Sequence, residues 1–290
     1  LKLAQLDVAS RLWLSYSVSS EVTVVGDLNL TPKFDSGETL SLSSRLKSHY
    51  SLQNKTLSLQ LSDLSIDKAG VKYPPINLTL DSDIAQQVTD VSFDRIDLAL
   101  GTDLALPYMK PEWFVTGMLD AMKAQGEALN GHLKIMTSPD LSIRYQGNLS
   151  IESNLGYQNI PSTQSLDAVL TINDSQGSIT FASNDANIGF PLMYQDVWQV
   201  DGIAGQVEWT PLQDAFLVTA NDMYLNRNNM DLSADFRLEV VKDASDTLAL
   251  DIHAENLNME EGLAYIPHSA LPLSARDWLN TALLEGQAKQ

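Results

Sequence analysis

Residues 230–240 read M-D-L-S-A-D-F-R-L-E-V. Met230, Leu232, Ala234, Phe236, Leu238 and Val240 fall on one set of alternate positions. Asp231, Ser233, Asp235, Arg237 and Glu239 fall on the other. In a β-strand, side chains two apart share a face, so this stretch is a strand with one apolar and one polar side. The same alternation appears at Val22–Leu30, Leu40–Tyr50, Thr56–Leu61, Ile76–Leu80, Ile96–Leu106, Leu133–Ile135 and Leu141–Tyr145. It continues at Leu149–Ile151, Leu166–Ile172, Ile179–Phe181, Phe216–Ala220 and Leu248–Ala254. Turn formers separate many of these runs: Asp35-Ser36-Gly37, Ala69-Gly70, Asn173 to Gly177, Asn226 to Asn229 and Lys242 to Asp246. Short strands at this spacing predict antiparallel hairpins. Between Leu57, Leu59, Leu61 and Leu64, Ile66 the apolar phase slips by one residue, as a β-bulge at Ser62-Asp63 produces.

Roughly fifteen strands at about 4.8 Å spacing make a sheet on the order of 70 Å wide, and open twisted sheets of that size curl or split. The expected fold is mainly β: a long curled antiparallel sheet, an open taco-like gutter with an apolar concave face, carrying short amphipathic helices. A β-sandwich or β-helix module, with the same face closed over a core, is the alternative on pattern alone. An outer-membrane barrel also alternates, but Tyr and Trp do not recur at strand ends here as its aromatic girdles require.

Two segments break the rhythm. Lys110 to Gly126 carries Trp113, Phe114, Met118, Leu119 and Met122 at helical spacing, with Pro111 near its start and Gly126 at its end. Ala275 to Leu284 carries Trp278, Leu279, Ala282 and Leu283 on one stripe, and Gly286 closes it. Met118 to Ala128 (M-L-D-A-M-K-A-Q-G-E-A) and Trp278 to Ala288 (W-L-N-T-A-L-L-E-G-Q-A) are alike, which reads as a long internal repeat. The chain is therefore expected to be one continuous groove segment over residues 1–290, with repeat boundaries near 110–130 and 274–290. Trp113, Met118, Met122, Trp278 and Leu279 are candidate gate or cap positions, although packing on a sheet edge explains the same stripes.

The 290 residues include 37 acidic and 18 basic side chains, for a net charge of −19. That argues against electrostatic binding to nucleic acid or to anionic headgroups. There is no cysteine, which removes disulfides, thiolate metal sites and cysteine nucleophiles. No run reaches the ~18 apolar residues of a membrane-spanning helix. The chain starts at Leu1 already in an alternating pattern and stops at Gln290 without a terminal signal, as an excised piece of a longer protein would.

Chemistry-bearing patterns are sparse. His49, His132, His253 and His268 have no metal-ligand spacing. G-x-S-x-G, P-loop and G-x-G-x-x-G motifs are missing. Most carboxylates alternate with apolar residues and so belong to wet strand faces. Asp81-Ser82-Asp83 and Asn226 to Asn229 lack a full calcium-loop pattern and read as turns. Asn54, Asn77 and Asn148 open glycosylation sequons of a kind common by chance. The reading is a non-enzyme with no cofactor, no metal and no catalytic residue.

The candidate site is then the apolar face. Its lining is expected to include Val22, Val24, Leu28, Leu30, Leu57, Leu59, Leu61, Leu78, Leu80, Leu98 and Leu100. Farther along it is expected to include Leu170, Ile172, Phe216, Val218, Leu232, Phe236, Leu238, Leu248, Leu250 and Ile252. An aliphatic groove suits acyl chains, since each CH₂ exposed to water costs about 0.8 kcal/mol.

Asn258-Met259-Glu260-Glu261-Gly262-Leu263-Ala264-Tyr265-Ile266-Pro267, then Leu271-Pro272, Trp278-Leu279-Asn280-Thr281-Ala282 and Gly286, resembles the Y-L-P…W-L…A…G signature of YhdP-type AsmA-like proteins. Ile266 stands for the usual Leu. Leu248 to Leu257 is similar to the strand before that signature, and Met118 to Leu129 resembles the family's helix and glycine. The resemblance implies an inner-membrane-anchored protein of the Gram-negative periplasm whose taco-like sheet carries phospholipid toward the outer membrane. It implies partners accordingly: phospholipid acyl chains, the inner membrane through an anchor before Leu1, and outer-membrane or periplasmic proteins. More groove is expected after Gln290.

Overall fold

A computed structural model describes residues 3–256 apart from 19, 36, 38, 109–113, 158–159, 191–193, 195, 214 and 242–246, and also residue 274. Among the described residues fifteen strands form one sheet. They are β1 (Leu3–Tyr16), β2 (Glu21–Phe34), β3 (Leu40–Ser51), β4 (Thr56–Lys68), β5 (Val71–Lys72), β6 (Ile76–Asp83), β7 (Val88–Asp97) and β8 (Gln125–Met136). Then follow β9 (Ser142–Asn154), β10 (Ser162–Asn173), β11 (Gln176–Gly189), β12 (Trp198–Pro211), β13 (Ala215–Arg227), β14 (Met230–Val241) and β15 (Thr247–Glu255). Helix α1 (Leu98–Ala105), a single 3₁₀ turn (Leu106–Tyr108) and helix α2 (Phe114–Met122) lie between β7 and β8. Each strand on the path pairs with its neighbours in chain order, and only the two-residue β5 hangs off it, on β4. Among the described residues β1 and β15 each pair on one side alone, so the sheet they form is open and not a barrel.

By contacts the chain forms two compact units. Unit 1 holds residues 1–109, 127–148 and 171–174, and unit 2 holds 110–126, 149–170 and 175–290. In strands away from β1 and β15 one face tends to be less exposed than the other; β14, for example, has outward Ser233, Asp235 and Arg237 exposed and Leu232, Ala234 and Phe236 partly buried.

Mid-strand bulges shape these strands. Asp63, Asn130, Ser165, Asp185 and Asp222 have φ of 54, 51, 58, 55 and 55° inside β4, β8, β10, β11 and β13. A residue in the left-handed region bends a strand and sharpens its twist. It also advances the apolar phase by one while keeping the same face inward. Thus β13 changes from Phe216, Val218 and Ala220 to Met223 and Leu225 across its register shift. The slip expected at Ser62-Asp63 is the bulge at Asp63, where the β4–β6 register shifts between Leu61 and Leu64. Polar side chains on the neighbouring strand take up freed backbone groups. Asp63 donates its N–H to Asn77 Oδ1 (3.1 Å) and Asp222 to Asp235 Oδ1 (2.8 Å). Across from Asp63, the Ser44 hydroxyl donates to the Ser62 carbonyl (3.0 Å).

Three readings are corrected. Ile96–Leu106 is not a strand throughout: from Leu98 it turns into α1, because the Asp97 carboxylate accepts the Leu100 N–H (2.8 Å) and starts a helix. Gly126 does not end a helix; it lies in β8 with φ 122°, its Cα side pressed on the Ser150–Glu152 backbone. Asp81-Ser82-Asp83 ends β6 instead of forming a turn, while Asp83 Oδ1 accepts the Gln86 N–H of the turn that follows. The helix at 275–284, the family signature at 258–286, Trp113, Trp278 and Leu279 lie outside the described residues.

Candidate functional site

Directly paired residues of an antiparallel ladder point to the same face. The register therefore traces the apolar face strand by strand. In unit 1 one row runs Leu14–Val24–Ser48–Leu59–Leu80–Val91–Leu133. The next runs Leu12–Gly26–Leu46–Leu61–Leu78–Phe93–Gly131. Each crosses seven strands, about 29 Å at ~4.8 Å per step. Between them on the opposite face runs Trp13–Val25–Lys47–Gln60–Thr79–Ser92–His132, which is mostly polar. In unit 2 the apolar rows include Trp209–Val218–Leu238–Leu248 and Val207–Ala220–Phe236–Leu250. Opposite them runs Glu208–Thr219–Arg237–Ala249.

The structure places Val22, Val24, Leu28, Leu30, Leu57, Leu59, Leu61, Leu78 and Leu80 together on the apolar face of unit 1. Phe216, Val218, Leu232, Phe236, Leu238, Leu248, Leu250 and Ile252 share the apolar face of unit 2. Leu170 follows the buried Leu166 and Ala168 on the same face of β10; Ile172 is two residues farther on, in unit 1. Leu98 and Leu100 belong to α1 instead. Leu100, 1% exposed, closes a cluster with Leu40, Ile66 and Ile76 at one end of the unit 1 face. The Lys68 ammonium meets the Asp103 carboxylate at 2.7 Å and ties α1 to β4. Met118 and Met122 sit partly buried in α2, whose Met122 carbonyl accepts the Leu155 N–H (2.8 Å).

Sequence reasoning missed β7 and β12 as strands. Val91 and Phe93 are flanked by Asp90 and Asp94, and β12 is interrupted by Gly202 and Gly205 with a phase change between Val200 and Ile203. The signal was there, but only after allowing one slip per strand. β1 was also underused, although Leu6, Val8, Leu12 and Leu14 extend the face to the edge at 47, 56, 45 and 70% exposure.

Glycine and aromatic residues level the floor of the face. Gly131 has no room for a Cβ because the Phe93 ring covers it, and Gly147 is covered by Tyr145. Those two rings stack with centroids 6.5 Å apart. Gly205 of unit 2 lies under Met223 and Phe181. Burial pushes the Tyr145 and Tyr194 hydroxyls above the usual tyrosine range, so both stay neutral. Among the described residues no second sheet covers this face, and no group of three or more His, Asp or Glu is placed to hold a metal. The arrangement offers a wide aliphatic surface with weakly specific van der Waals contacts.

No helix among the described residues is long and apolar enough to cross a membrane. No curated protein and no solved structure matches the chain. A family model described as YhdP protein does match, over residues 7–290, and with nearly the whole chain covered the protein belongs to the YhdP family.

Proposed function

We propose that this chain is a segment of a periplasm-spanning bridge that shields phospholipid acyl chains on its apolar face during transfer between the inner and outer membranes of a Gram-negative bacterium. The carrying observation is that in each unit an apolar face runs from strand to strand, and among the described residues no second sheet buries it. A sandwich would bury Leu14, Leu248 and Leu250, which are 70, 61 and 55% exposed. An acyl chain laid along such rows stays out of water at every position, so movement along them meets no large barrier. The protein acts without catalysis or cofactor, and it is held to the inner membrane by an anchor outside this chain. Its partners are lipid tails and proteins at either membrane; nucleic acid is not among them. Family membership supports the bridge reading.

Mass spectrometry of organic extracts from the purified chain tests it. Wild type should carry phospholipid, and Leu232→Asp, on the apolar face between Leu225 and Ala254, should lose it. A folded wild-type protein without lipid would return the face to the role of a closed core.

A further inference from the structure

Unit 2 holds a cavity of about 440 Å³, lined by Thr180, Ala182, Ala204, Gln206, Asn221 and Asp222 among others. Small-molecule sites occupy about 300–1,000 Å³. The cavity lies at the bulge of β13, where Asp222 (φ 55°) and Met223 together stand against Gly205 alone. Two rows of side chains meet there. Thr180, Gln206 and Asn221 are direct ladder partners and supply a hydroxyl and two primary amides. Ala182, Ala204 and Tyr224 are partners in the next row and supply two methyl groups and a ring. Both rows flank the pair Phe181–Gly205, so they lie on the polar face, away from the aliphatic rows. The Tyr224 ring is 42% exposed, and its hydroxyl donates to Asp231 Oδ1 (2.6 Å), which holds it in place. Gln206 Nε2 donates to Glu208 Oε1 (2.6 Å), which orients that amide. Among the described residues that line the cavity none is basic and Asp222 is acidic, which disfavours phosphate, carboxylate and nucleic acid.

From these two rows we infer that the cavity binds a short oligosaccharide of N-acetylated hexosamine, on the polar face and independently of the acyl-chain reading. A pyranose ring is itself two-sided, with hydroxyls around its edge and C–H groups on its faces. The negative face of the Tyr224 ring attracts those C–H groups. Primary amides offer one acceptor and two donors each, so Gln206 and Asn221 complement the N–H and C=O of an acetamido group. Its methyl group fits the Ala182 and Ala204 pair. Thr180 and the Asp222 carboxylate suit sugar hydroxyls. Residues two apart on a strand lie about 7 Å from each other, so one substituted ring reaches both rows. The bulge at Asp63 in unit 1 opens a smaller cavity, about 180 Å³, also with amides and hydroxyls. There the Asn77 amide is already bound to Asp94 (2.7 Å), and the row beside it is Ser58–Asp81–Asp90, with no ring to stack on. The assignment is therefore to unit 2 alone.

The test titrates the isotope-labelled chain with N-acetylchitotetraose and follows side-chain amide signals by NMR. The Gln206 and Asn221 signals should shift together with a Kd near about 1 mM, as a few exposed hydrogen bonds allow. The Gln60 and Asn77 signals of unit 1 should stay in place. Cellotetraose, which keeps the hydroxyls and lacks the acetamido groups, should bind about tenfold more weakly. Asn221→Ala, read through Gln206, and Tyr224→Leu, read through both amides, should each weaken N-acetylchitotetraose about tenfold. A thermal melt checks that the variants keep the fold, and the exposed Asn221 position gives the safer of the two. Unmoved Gln206 and Asn221 signals in folded wild type, at about ten times that sugar concentration, overturn the site. Equal affinity for cellotetraose overturns the assignment to an N-acetylated sugar. Affinity left unchanged by Asn221→Ala and Tyr224→Leu puts the sugar elsewhere on the chain and overturns this cavity as its site.

Discussion

Three leucine-to-alanine substitutions in unit 1 measure how open the apolar face is. A fully buried Leu→Ala change removes about three CH₂-equivalents, ~2.4 kcal/mol at about 0.8 kcal/mol each. Leu100 is 1% exposed and enclosed by Leu40, Ile66 and Ile76, so a residual cavity adds to the transfer loss. The expected total is about 3–4 kcal/mol. Leu14, on the same face as Leu59, is 70% exposed. Only about a third of the transfer value applies there, roughly 0.7 kcal/mol. Leu59 is partly buried, with neighbours Ser48 and Leu80 beside it in the sheet. Without an opposing layer no cavity forms, and about 1 kcal/mol is expected. Urea unfolding of the lipid-free proteins, monitored by circular dichroism with m-values compared, reads these differences. The order Leu100, Leu59, Leu14 with a gap of at least about 2 kcal/mol after the first supports an open face. A Leu59→Ala cost equal to that of Leu100→Ala would refute the reasoning, because only a second packed layer makes the two sites alike.

Other perturbations probe the devices that shape the sheet. Asp235→Ala removes the acceptor of the Asp222 N–H and should destabilise by about 1–2 kcal/mol, with faster amide exchange in β13 and β14. Gly131→Ala drives a methyl group into the Phe93 ring and should cost about 1–3 kcal/mol; in a Phe93→Leu background the cost should shrink, as a double-mutant cycle will read. Burial works to raise the Asp94 carboxyl, but hydrogen bonds from the Asn77 backbone and side chain and from the Arg95 backbone outweigh it and hold the group below the usual 3.8. A carboxylate held lower in the folded state stabilises fully above its unfolded value and loses that contribution as pH falls through the folded value. Thermal melts from about pH 5 down to pH 2 should therefore fall less steeply for Asp94→Asn than for wild type, whereas parallel curves would remove Asp94 from the account.

The alternation at Met230–Val240 was legible because a period of two has one structural meaning, and the register bears out every apolar position in that strand. Leu98 and Leu100 were misplaced because leucines at 98, 100, 104 and 106 satisfy a strand pattern as readily as a short helix. The deciding contact, Asp97 to the Leu100 N–H, spans three residues and looks ordinary in a sequence. β12 was hidden by its glycines; Gly205 lies beneath Phe181 and Met223, a role that exists only once distant strands are adjacent.

By itself the sequence determined the fold class, the two-faced character of the strands and which apolar residues of one strand share a face, since side-chain alternation is a local property of an extended backbone. Only the tertiary structure decided which rows join across strands, where Phe93 and Tyr145 cover glycines, that Leu100 closes one end of the unit 1 face, and that Arg227 rests on Trp198. Those depend on register and on left-handed residues such as Asp63 and Asp222, each of which moves every later side chain in its strand by one position.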